Sequence, residues 1–223
     1  MKIVYDFGAN NGSNIPYYLL KFDKIIAVEA NPKLIHEMSI KFENEIRDGR
    51  LILINCVVSL KSENVKFFIH KDKSVWSQFP VPNDIKNFYT IDIISKKASD
   101  IVREHGDAEY IKIDVEYIDS QVISDLFENK IFPRYISSEV QDVLVFSLIT
   151  ASQKYDCYKL LDGKSINDIY RNVNINGASY TFPIHSAGPM WEDIPQKSMN
   201  LRELFDELHK QGLGWRDIHA KRS

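Results

Sequence analysis

The sequence predicts an α/β fold: a mostly parallel sheet with helices on both faces. Three observations predict it. A strand, a glycine turn and a helix start follow one another at the beginning of the chain. Short β-branched apolar runs then alternate with helical segments, and several of those runs end in a carboxylate. At 223 residues the chain suits one α/β domain with additions and is large enough for a real core.

The first run, Lys2 to Phe7, carries Ile3 and Val4 and reads as a buried parallel strand. Gly8 and Gly12 follow at a four-residue spacing, and Ser13 or Asn14 is placed to cap a helix through Tyr17, Tyr18 and Leu20. Strand, glycine turn and helix start together make a nucleotide-type cofactor site, because glycines let backbone approach a ligand and free N–H groups can bond to it. A dinucleotide fingerprint requires glycine where Asn10 stands, and a P-loop requires a lysine where Ser13 and Asn14 follow Gly12. The pattern D-x-G-A-N-x-G, from Asp6 to Gly12, instead resembles the first motif of S-adenosylmethionine (SAM) methyltransferases. There the turn passes beneath the methionine part of the cofactor.

The second strand, Lys24 to Glu29, ends in an acid and leads into Ala30-Asn31-Pro32. A carboxylate about twenty residues past a glycine turn accepts hydrogen bonds from ribose hydroxyls, so Glu29 marks a ribose, in NAD or SAM alike. Pro32 starts a helix with Leu34, Ile35, Met38 and Phe42 on one side. Arg50 to Ser59 reads as a third strand closed by Asn55-x-Val57-x-Ser59, and Val65 to His70 as an alternating strand. Asp72 to Asp84, with Trp76, Ser77, Phe79, Pro80 and Pro82, reads as an irregular loop, and Ser99 to His105 as a short helical segment.

Ala108 to Glu116 is the next strand signal, and its end is acidic. Asp114 and Glu116 share a strand face if the strand runs that far. Pro133 to Val140 is a further strand with Glu139 near its end, followed by a helix from Val143 to Ser152 and a strand from Tyr155 to Leu161. Carboxylates at the C-terminal ends of central parallel strands lie at the crevice where such sheets bind ligands.

Taken together and in this order, D-x-G-A-N-x-G, V-E-A-N-P, N-x-V-x-S, I-K-I-D-V-E and the acid-ended fifth strand resemble the FkbM family of SAM-dependent methyltransferases over roughly residues 2 to 145. The resemblance implies a Rossmann-like class I methyltransferase with a seven-stranded, mostly parallel sheet. It also implies SAM as cofactor and methyl transfer to a hydroxyl of a sugar, glycan or secondary metabolite. The positions it marks for the cofactor are Asp6, Gly8, Asn10, Gly12, Glu29, Ala30, Asn31, Val57 and Asp114. Two departures stand out. The family pattern continues D-V-E-G-x-E, whereas Tyr117 replaces that glycine here and Asp119 stands where the later acid would be. The sequence also starts almost at its first strand, without the helices that usually precede it. The expected organisation is one methyltransferase domain over 1–223, with a core at 1–162 and an extension at 163–223 that carries a final strand and covers the acceptor side.

Within that extension Asn174 to Gly177 is a turn signal, Tyr180 to Phe182 is strand-like, and His185 to Trp191 is a loop. Leu201 to Leu208 has apolar residues at helical spacing, and Trp215 to Ala220 fits a last antiparallel strand. An aliphatic hydroxyl needs a base or a metal to remove its proton. Asp114, Glu116, Glu139 and His185 are the candidates, although a loop histidine without chemistry is the plainer reading of His185, as of His219. A divalent metal on Asp114 and Glu139 would suit hard oxygen ligands, but the spacing is not diagnostic and no metal is assigned. The net charge of -3 gives no basic field for nucleic acid. Cys56 and Cys157 lack metal-site spacing, and no apolar run approaches membrane-spanning length, so a cytoplasmic location is expected. The expected partner is a small-molecule or glycan acceptor, with no nucleic acid or membrane. The alternative is a degenerate SAM-binding partner or scaffold in a biosynthetic assembly, suggested by Tyr117.

Overall fold

The computed structural model describes residues 1–140, 143–163, 169–175, 177–183, 186–212 and 215–223. The opening run folds as β1 (Ile3–Phe7), every residue of it buried, as a central strand between two helical layers requires. It is followed by α1 (Ile15–Tyr18), β2 (Lys24–Glu29), α2 (Pro32–Lys41), α3 (Glu43–Arg47) and β3 (Leu51–Asn55). β4 (Val57–Val58), β5 (Asn64–His70) and β6 (Phe88–Lys96) come next, then α4 (Ala98–His105), β7 (Tyr110–Ile113), α5 (Asp119–Glu128) and β8 (Tyr135–Glu139). The last part holds α6 (Val143–Ala151), β9 (Cys157–Asp162), the hairpin β10 (Asn172–Ile175) and β11 (Ala178–Thr181), α7 (Leu201–Gln211) and β12 (Arg216–Lys221).

Seven strands form the main sheet in the order β3-β2-β1-β7-β8-β12-β9, with β12 antiparallel to both neighbours. The chain steps from β1 outward to β3 and then returns to the other side of β1 as β7. This reversal places a crevice at the carboxyl ends of β1 and β7. Alternation along β1 divides the core. Ile3, Tyr5 and Phe7 pack with α4 and α5 residues such as Ile101 and Ile123, while Val4 faces Tyr17, Tyr18 and Met38. Each such buried side chain contributes roughly 1.5–3 kcal/mol.

Three local expectations are corrected. The third strand breaks at Cys56: β3 stops at Asn55, and Val57 and Val58 turn away to pair with β6 in a separate sheet of order β4-β6-β5. β6 itself is missed in the sequence because Tyr89, Thr90, Asp92 and Ile94 lie exposed and blur its period. Leu20 lies beyond α1 and is exposed, and the Asn14 side chain makes no cap. Asn14 instead ties the turn to the C-terminal extension: its Oδ1 accepts from Ser186 Oγ at 2.6 Å and Ala187 N at 3.1 Å, and its Nδ2 donates to Gly188 O at 3.2 Å. Lys159 Nζ fastens the same extension by donating to the carbonyls of Trp191 and Ile194. Among the described residues, no helix is long and apolar enough to cross a membrane.

Candidate functional site

The glycine turn leaves β1 and is clasped to β2, with Gly8 N and Ala9 N both donating to Val28 O at 3.0 Å. One residue on, the Glu29 carboxylate reaches back. Its Oε2 accepts from Asn10 N at 2.8 Å and its Oε1 from Asn31 N at 2.7 Å. Burial pushes the Glu29 carboxyl up, and these backbone N–H groups pull the other way. Each oxygen keeps a lone pair for a further donor, and Asn10 Oδ1 is buried with no hydrogen-bond partner among the described residues. Gly8, Asn10, Glu29, Ala30, Val57 and Asp114 all line one cleft. A second, larger cleft adjoins it and shares Gly8, Asn10, Asp114 and Glu116.

Two of the expected cofactor positions, Gly12 and Asn31, line neither cleft. With φ at +69°, Gly12 packs where a Cβ would meet Ile15 and Met38 at 2.8 Å. Asn31 is buried, and its Oδ1 caps α2 by accepting from Lys33 N at 3.0 Å. Gly8 lines the clefts, but the contact that demands glycine there is internal. A Cβ at Gly8 would overlap the Asp114 carbonyl where the turn crosses the end of β7.

The second cleft is acidic. Lys112, on β7, is buried with Asp6 Oδ1 at 3.3 Å and Asp114 Oδ2 at 3.1 Å from its Nζ. Burial works against the Lys112 ammonium, but Asp114 and Asp6 outweigh it and hold its pKa above the ordinary lysine value. Carboxylate oxygens of Asp114, Glu116 and Glu139 lie within 4.8 Å of one another, a donor set of the hard oxygens that divalent cations accept. Asp114 and Glu116 do not share a strand face. β7 ends at Ile113, and Glu116 and Tyr117 turn through the left-handed region at φ 58° and 67°. Tyr117 thus keeps the conformation that glycine favours. Asp119 is buried and accepts from Val115 N at 3.1 Å, fastening this loop, and burial raises its carboxyl to about 7.

Sequence reasoning missed Lys112 and Asp217. The second arrives on β12, opposite Glu139, and lines the acidic cleft. Burial pushes its carboxyl well up, and Asp114 and Glu139 add to the effect. His219, two residues further along β12, is buried, and burial lowers its pKa to about 3, so it is a neutral part of the sheet. His185 lies outside the described residues.

The chain is similar in structure to a solved methyltransferase, FkbM from Methylobacillus flagellatus KT. The two align at a TM-score of 0.50 with 15% identity, covering 72% of this chain and 40% of that one. The fold is the Rossmann-like class I methyltransferase fold. The chain spans 40% of the length of the Methylobacillus flagellatus protein. A precorrin-6y C5,15-methyltransferase from Geobacter metallireducens GS-15 aligns over all of this chain and 80% of its own, at 10% identity and a TM-score of 0.45. Spermidine synthase from Thermotoga maritima aligns at 10% identity and a TM-score of 0.44, covering all of this chain and 53% of its own. No protein-family model and no curated protein matches the sequence.

Proposed function

We propose that the chain binds SAM across the two adjoining clefts and transfers its methyl group to a hydroxyl oxygen of a small-molecule or glycan acceptor. One observation carries this reading: the clefts meet at Asp114, with ribose-type recognition on one side and clustered carboxylates on the other. In the first cleft Glu29, its two oxygens oriented by Asn10 N and Asn31 N, accepts from the ribose hydroxyls. The unpaired Asn10 Oδ1 takes a further donor from the ligand. Ala30, Val57 and Phe67 supply apolar walls for a flat base. When bound, the cofactor supplies a methyl group on a positively charged sulfur. The acidic second cleft suits that charge through Asp114, Glu116 and Glu139, whose carboxylate oxygens lie within 4.8 Å of one another.

Orientation of the acceptor oxygen behind the methyl supplies much of the acceleration in such a displacement. Asp114 is held by Lys112 and acts as a fixed wall and hydrogen-bond acceptor. Glu139, at the end of β8 and across from Asp217, takes the hydroxyl proton, and Glu116 borders the same space. Action without nucleic acid accords with the net charge of -3, which gives no basic field.

The experiment is incubation with methyl-labelled SAM and a panel of hydroxylated acceptors, comparing wild type with Glu139→Gln and Asp114→Asn. Loss of turnover by about a hundredfold in Glu139→Gln, with SAM affinity within a few-fold, is the expected result. Full turnover in both variants would remove the pair from the chemistry. SAM binding without transfer to any acceptor would favour the scaffold reading.

A further inference from the structure

Beyond the acidic cleft lies a third cavity, between the β5–β6 connection and the loop that follows β7. Trp76, Glu116 and Tyr117 border both it and the acidic cleft, so the two spaces meet at these side chains. Two features mark that junction. Tyr117 lies in the left-handed region, yet it is 61% exposed. A bulky side chain held there without burial is a constraint that packing does not account for, and such constraints gather at ligand sites. Trp76 is 51% exposed but is held in place. His70 meets it edge-on with ring centroids 5.3 Å apart, and Lys73 Nζ lies 3.7 Å from its ring centroid. His70 is itself fixed, its Nδ1 accepting from Asp72 N and Lys73 N.

Around these rings stand planar polar groups. Asn83 and Gln121 line the third cavity and are exposed, and neither side chain is in a hydrogen bond among the described residues. Asp84 and Asn87 border the same space. Flat aromatic faces with amides and a carboxylate at their edge suit a pyranose ring. Its C–H face stacks on the aromatic surface, and its neighbouring hydroxyls take paired hydrogen bonds from the planar groups.

We propose that the third cavity holds the second ring of an extended acceptor, a pyranose linked to the ring whose hydroxyl enters the acidic cleft, with Trp76 and Tyr117 as its stacking surface. This rests on the acidic cleft being the methyl-transfer site.

The test is saturation-transfer NMR and tryptophan fluorescence on the full chain, titrated with neutral hexose disaccharides and the matching methyl monoglycosides. SAM affinity is measured separately by calorimetry. At least one disaccharide is expected to bind about tenfold more tightly than its monoglycoside. In Trp76→Ala and Tyr117→Gly that ratio falls to about one, with SAM affinity within about twofold of wild type. Tyr117→Gly relieves the backbone conformation, so its melting temperature should equal or exceed that of wild type and its lost affinity is not unfolding. A panel with no disaccharide advantage, or an advantage that survives both variants, overturns the subsite. So does tighter binding of an unglycosylated peptide at Trp76. Failure to bind SAM at all would instead bring down the transfer reading.

Discussion

At the residue scale, the residues of the site divide between those that hold it and those that serve a ligand. Gly8 belongs to the first kind. Gly8→Ala is expected to cost roughly 3–5 kcal/mol in urea unfolding, because the methyl meets the Asp114 carbonyl and φ is +86°. A stable variant with weakened SAM binding would show that the glycine serves the ligand instead. Asp119 links stability to pH. Its folded pKa is raised from 3.8 to about 7, so between those values the folded chain keeps a proton that the unfolded chain has released. Its contribution is complete below 3.8 and is lost as pH rises to about 7, on the order of 4 kcal/mol in all. Asp119→Asn keeps an acceptor for Val115 N without the charge. Its melting temperature relative to wild type should therefore rise between about pH 5 and about pH 8. Parallel melting curves would mean that Asp119 is ionised throughout.

Elements show why the sequence was legible in some places and opaque in others. β1, the glycine turn and the end of β2 form one local motif, and Glu29 is held to the turn by Asn10 N within that motif. Lys112 was hidden because Ile111-Lys112-Ile113 reads as an ordinary buried strand, and its two acid partners come from β1 and from beyond β7. Asp217 was hidden for a different reason: β12 crosses the sheet from the far end of the chain to stand beside Glu139. β6 was hidden by its exposed face, and Tyr117 looked like a departure although its backbone follows the glycine pattern. The loop after β7 also decides between a protein base and a metal. Turnover is expected to survive dialysis against EDTA if Glu139 takes the proton directly. Loss restored by magnesium would reassign Asp114, Glu116 and Glu139 as ligands.

For the whole molecule, the central claim is that the sheet reversal between β1 and β7 presents a SAM site whose ribose end is Glu29. The C-terminal extension closes the other side through Asn14, Ser186 and Lys159. Calorimetric titration of SAM into wild type and Glu29→Gln tests this most directly. The amide keeps one oxygen for one of the two backbone N–H groups and sets its NH2 against the other, so the variant loses a ribose acceptor together with half of the clasp on the turn. Micromolar binding by wild type and a loss of about tenfold or more in the variant, titrated well below its lowered melting temperature, is the expected result. Equal SAM affinity in the two proteins, or tighter binding of NAD than of SAM, would contradict it.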